Sequence, residues 1–172
     1  MVQPAQPFLV RRVLRPLAAA LGTSDRMLIY YFTTRDDLVR AVLEEIAHRL
    51  RTVFADVLPP GQQPPGTVVG SALSAGLHDP DVRRLLAVWL EVVALAARGD
   101  AVFSSAARAV VKDWVAWVGE RIDVPDEQRR SAAAGVLVIV DGLVLSGAAG
   151  ADEEGAAGAT WLLDALTSTG PA

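Results

Sequence analysis

The stretch Leu14–Leu38, LRPLAAALGTSDRMLIYYFTTRDDL, decides how the chain is read. Leu17 and Leu21 lie on one face of a short helix, and Gly22 follows where a left-handed residue can end it. Thr23 or Ser24 can cap a second short helix, with Asp25 in its first turn. Leu28, Tyr31 and Phe32 give that helix an apolar side. Ala18 is small enough for the two helices to approach closely. A small residue, Gly22 four positions later and Leu28 six beyond that is the spacing of a helix-turn-helix, one that other helical hairpins also satisfy.

Downstream, helical periodicity accounts for nearly everything. From Asp36 to Leu58 the apolar residues Val39, Leu43, Ile46, Leu50, Val53, Phe54 and Val57 form one stripe. That predicts a helix about 35 Å long, capped by Thr33 or Thr34 and favoured by Asp36 and Asp37 in its first turn. PPGQQPPG (Pro59–Gly66) reads as a stiff loop. Further helices are predicted over 67–77, 81–98, 101–122, 126–149 and 152–168, with stops at His78-Asp79-Pro80, Gly99 and Val124-Pro125. No alternating strands and no repeat period are present, so the fold class is all-α. The expected division is a partial helix-turn-helix region over 1–35 and a helical ligand-binding and dimerisation domain over 36–172.

Composition narrows the function. The 172 residues are 52% hydrophobic and 21% charged, enough apolar material for a full core. There is no cysteine, which excludes disulfides, thiolate nucleophiles and Cys-type zinc sites. His48, on the polar side of its helix, and His78, at a boundary, do not make a metal site or a base with an orienter, and no phosphate loop, GxSxG or HExxH occurs. The expectation is no enzyme, no metal and no cofactor. Residues 1–51 carry 8 Arg against 5 acids, +3, while 52–172 carry 8 basic against 15 acidic residues, −7; the sum is the overall −4. A basic first third points to an anionic partner for that third. The start MVQPAQPFLVRR lacks a signal-peptide pattern, and the most membrane-like run, 131–151, holds Asp141 near its middle. A mid-bilayer Asp costs roughly 2.5–3.5 kcal/mol, so a cytoplasmic location without a membrane partner is expected.

The identities in LAAALGTSDRMLIYYFTTRDDLVRAVL are more specific than their spacing. They closely resemble the DNA-binding segment of the tetracycline-repressor (TetR) family of bacterial regulators, which typically shows LA..LG.S...LY.(Y/H)F.SK..L. The matching positions are Leu17, Ala18, Leu21, Gly22, Ser24, Leu28, Tyr31, Phe32, Thr34, Arg35 and Leu38. The resemblance continues with less specificity through the long helix, WLEVVALAARGD and the apolar segment containing Asp141-Gly142-Leu143. It implies a homodimeric repressor that binds a palindromic operator and releases it on binding a small molecule. The residues from Thr23 to Tyr31 would be the recognition helix, with Asp25, Arg26, Met27 and Tyr30 facing bases or backbone. Arg35, at the family's usual Lys, would meet a phosphate. Thr23, Ser24 and Tyr31 complete the implied contact set. Phosphate attraction would lean on Arg26 and Arg35 with Arg11, Arg12 and Arg15.

Two departures stand out. Ile29 holds a position where the family usually has Tyr, removing a hydroxyl. The family's first helix of roughly 15 residues is mostly missing, because only 13 residues precede Leu14 and they include Pro4 and Pro7. Losing four or five buried side chains at about 1.5–3 kcal/mol each predicts a frayed module unless something covers it. The alternative is therefore a helical dimer that binds a small molecule or a protein partner without DNA activity.

In the body, the bulky groups Phe54, Trp89, Phe103, Trp114 and Trp117 are the candidate effector-pocket residues; Trp114 and Trp117, three apart, share a face. Glu91 and Asp141, embedded in apolar runs, are the candidate polar anchors. Residues 132–149 and 156–166 carry more apolar surface than one thin monomer hides, which favours a homodimer. The family pairs its last two helices, which makes Leu137, Val140, Val144, Trp161, Leu162 and Leu166 the candidate interface.

Overall fold

The computed structural model describes residues 35–76 and 79–168. Among them are six α-helices and no strand, so the fold is all-α. The expectations for Thr33 and Thr34, for His78 and for every recognition-helix residue lie outside the described residues.

The first helix, α1 (Arg35–Val57), carries Asp36 and Asp37 in its first turn, where the dipole favours acids. Leu38, Val39, Val42, Leu43, Ile46, Ala47, Leu50 and Phe54 are its buried stripe. The Pro-rich loop ends earlier than the sequence predicts. Helix α2 (Pro65–Ser71) starts on Pro65, because a proline in the first turn needs no N–H partner. It widens into a π-helical turn over Ala72–Gly76. The loop is fastened by a parallel bridge: Gln63 N donates to the Arg121 carbonyl at 2.8 Å, and Asp123 N donates to the Gln63 carbonyl at 2.8 Å. This bridge takes residues 120–122 out of the helix predicted over 101–122.

Helix α3 (Pro80–Ala97) is capped by Asp79, whose Oδ1 accepts from the Asp81 N–H at 2.7 Å. Gly99 takes a left-handed φ of 87°, and Asp100 then caps α4 (Ala101–Gly119) by accepting from the Val102 N–H at 3.1 Å. Helix α5 (Asp126–Ala148) follows Pro125. Arg129 pairs with Asp126 and donates through Nη1 to the Gly119 carbonyl at 3.2 Å, tying the start of α5 to the end of α4. Gly150, with φ 76°, turns the chain into α6 (Asp152–Ser168).

The described residues fall into two compact units. One contains residues 35–49 and Arg84–Val110, the other Leu50–Arg83 and the described chain from Val111 onward. In the first, Leu38, Val39, Val42, Leu43, Ile46, Ala47, Val88, Val92, Leu95 and Phe103 are buried. The second holds a continuous core of Val68, Val69, Val118, Ile122, Ala133, Val136, Leu143 and Ala159. Within it α5 and α6 pack so tightly that a Cβ on Gly155 would stand 2.8 Å from the Ser146 Cβ. No described residue that is buried is polar or charged.

Candidate functional site: an apolar cavity walled by aromatic side chains

Within the second unit a small, partly open cavity of about 30 Å³ is lined by Phe54, Leu58, Val68, Ala72, Trp114, Trp117, Val118, Val136, Leu137 and Val140, from α1, α2, α4, α5 and the residues that follow α1 and α2. Every lining side chain is a hydrocarbon or an aromatic ring. Phe54 meets Trp114 edge to face with centroids 5.9 Å apart, and Trp114 meets Trp117 likewise at 5.3 Å. The i, i+3 spacing of the two tryptophans puts both on the inner side of α4. Arg121 sits over the outer side of this wall: its guanidinium is 3.9 Å from the Trp117 ring centre, and its Nη1 donates to the Trp117 carbonyl at 2.8 Å. Arg121→Ala removes both contacts and is expected to cost about 1 kcal/mol in urea unfolding, with Arg121→Lys retaining part of it. A loss that Lys restores in full would mean the charge alone matters.

The structure gathers three of the seven sequence-expected pocket residues, Phe54, Trp114 and Trp117, around one cavity. Trp89 and Phe103 belong to the other unit, where Phe103 is 1% exposed and fills its interior. Glu91 is exposed on α3, while its neighbour Val92 is the buried one. Asp141 is half-buried and not among the cavity's lining residues. The lining that sequence did not single out comes from Leu58, Val68, Ala72, Val118 and Val136, aliphatic positions indistinguishable by type from ordinary core.

The expected interface residues of α5 and α6 fall into two sets. Val144 is buried at 7% exposure, and Leu137 and Val140 line the cavity, so the stripe at 137, 140 and 144 faces inward. The exposed apolar residues of α5 are Val138 and Leu145, at 71% and 63%. Trp161 and Leu162 are exposed, at 69% and 43%, and the Leu166 side chain lies outside the described residues. Of the expected DNA contacts, Arg15, Thr23, Ser24, Asp25, Arg26, Met27, Tyr30 and Tyr31 lie outside the described residues, and Arg35 is the first residue of α1.

No group of His, Asp and Glu side chains suited to a metal ion occurs among the described residues. Helix α5 is, among them, the one helix long and apolar enough to cross a membrane by length and composition. Among the described residues these features define an all-α fold whose second unit carries a small, apolar, aromatic-lined pocket. No family model, curated protein or solved structure matches the chain.

Proposed function

We propose that the chain is a cytoplasmic, ligand-responsive transcriptional regulator, a repressor of the tetracycline-repressor type that binds palindromic operator DNA as a homodimer. One observation carries the reading most. A single helix, α1, starts at Arg35, where the helix-turn-helix-like sequence ends, and places Phe54 in the wall of the cavity. A molecule entering that cavity bears directly on the helix that continues from the DNA-reading segment. In a dimer the recognition helices must meet major grooves about 34–36 Å apart, so a tilt of α1 would change operator affinity.

The cavity's lining sets the kind of effector. With the indole N–H groups of Trp114 and Trp117 as the only polar side-chain atoms of the lining, an ion or a strongly hydrogen-bonding molecule would lose most of its hydration without replacement, so the effector is an uncharged, largely apolar molecule. Small-molecule sites run to about 300–1,000 Å³, far above the volume found here, so binding requires lining side chains to move apart.

The test is fluorescence anisotropy of the 172-residue chain on DNA from its own upstream region, at two salt concentrations and against a scrambled competitor. Tight, salt-sensitive, selective binding is expected, weakened across all sequences by Arg26→Ala or Arg35→Ala, each lowering the salt slope by about 1 if it contacts a phosphate. A folded dimer that binds only weakly and without selectivity overturns the DNA reading and leaves a helical dimer that holds a small molecule or a protein partner.

A further inference from the structure

Along the outer side of α5 six residues fall at alternating spacings of four and three: Ser131, Gly135, Val138, Gly142, Leu145 and Ala149. All six are exposed, and none is charged. Two of them are glycines inside a helix, each costing about 1 kcal/mol relative to alanine. The chain's own packing does not call for them, since a Cβ added at Gly135 or Gly142 would meet nothing within 4 Å. Gly155 is the contrast: there the neighbouring helix explains the glycine. The large members of the stripe, Val138 and Leu145, are the most exposed aliphatic side chains of the described residues.

We propose that this stripe is the contact for the α5 of a second copy of the chain, antiparallel, with the two-fold axis crossing at the level of residue 140. The inference rests on the homodimer reading and goes beyond it by fixing orientation and register. With the axis there, each residue faces the one whose number completes a sum of 280. Val138 then meets the partner's Gly142, Leu145 the partner's Gly135, and Ser131 the partner's Ala149. Every large side chain enters the space left by a glycine, and both glycines are used twice by symmetry.

Competing arrangements fit less well. Sliding one heptad toward the C-terminus sets Gly135 against an acid, Asp152, and sliding the other way sets Leu145 against Gln128. A parallel pair would stack Val138 on its own copy and bring two sets of Asp152, Glu153 and Glu154 together, whereas the antiparallel sense carries these acids toward the partner's Arg130 end. A stable interface buries about 800 Å² per partner, and α5 alone offers roughly 350 Å² in projection. Closing the dimer therefore draws on α6, where Trp161 and Leu162 are exposed. The most apolar window of α5 is only 22% buried within one chain, which leaves that surface to be covered by the partner.

The absence of cysteine makes the test direct. Three double variants are made, Gly135→Cys with Leu145→Cys, Val138→Cys with Ala149→Cys, and Gln128→Cys with Leu145→Cys. Their positions lie about 15 Å or more apart along one helix, so no disulfide closes within a chain. Light scattering of the unmodified chain first gives the mass in solution. The expected result is a dimer in which oxidation cross-links the 135/145 variant almost completely, with neither single variant nor the other two pairs responding. Gly142→Leu, read by the same scattering, is expected to raise the dimer dissociation constant by about tenfold or more at unchanged helical content. A dimer cross-linked through 138/149 or 128/145, or through none, overturns the register while the homodimer reading stands. A monomer, including one taken up by phosphatidylcholine vesicles, overturns both.

Discussion

Trp114→Ala is expected to destabilise the second unit by about 3 kcal/mol and to turn its small cavity into a ligand site. Trp114 is the middle ring of three, meeting Phe54 at 5.9 Å and Trp117 at 5.3 Å, so its removal takes both edge-to-face contacts at once. It is only partly buried, which places the cost at the lower end of the range for large aromatic truncations. The wall left behind is aliphatic and aromatic throughout, and an apolar space on the order of 150 Å³ stays dry and accepts benzene. Indole or benzene at millimolar concentration should therefore raise the melting temperature of Trp114→Ala and leave the parent unchanged. A variant that loses under 1 kcal/mol and ignores both ligands would show that the rings do not close the cavity.

The second large effect is expected at the joint between α5 and α6. Gly155→Val should cost about 2–3 kcal/mol, in the upper part of the range for overpacking. Its Cβ would lie 2.8 Å from the Ser146 Cβ and 3.1 Å from its Oγ. A Cβ is fixed by its backbone and cannot rotate aside, so the helices themselves must separate, and Leu143, whose Cδ2 is 3.5 Å from the same point, loses its seat. Ser146→Gly removes the opposing atoms. In a double-mutant cycle it should recover about 1 kcal/mol or more in the Gly155→Val background while costing stability on its own. Strict additivity of the two changes would mean the helices accommodate the extra methyls by another route.

Both effects belong to a single helical unit, and each has a different history in the sequence. The i, i+3 spacing of Trp114 and Trp117 makes a shared face legible from two letters, because helix geometry alone enforces it. That Phe54, sixty residues earlier, completes the row with Trp114 is a tertiary fact. The same holds for Phe103 and Trp89, which look like equally good pocket residues by size but sit in the other unit. Glu91 illustrates the opposite error: an acid in an apolar run reads as buried, yet one helical position out of step is enough to expose it.

Helix α5 is the sharpest case. Its sequence is apolar on nearly all sides, so periodicity does not distinguish an inner from an outer face. The sequence reading takes Leu137, Val140 and Val144 for an interface and does not single out Val138 or Leu145. Tertiary packing decides between them: it buries Val144, sets Leu137 and Val140 in the pocket lining, and leaves Val138 and Leu145 exposed. Only then do Gly135 and Gly142 acquire a meaning, as helical glycines that nothing in the same chain requires.

Local chemistry was sufficient for the all-α class, the near-complete set of helix positions and the stops at Asp79, Gly99 and Pro125, because capping, left-handed glycine and proline act within a few residues. Which face of each helix turns inward, where the chain divides into two units and which aromatic rings meet depend on pairings between residues far apart in sequence. Those were decided by the tertiary structure, since in so uniformly apolar a chain many alternative faces bury equal area and only mutual fit selects among them.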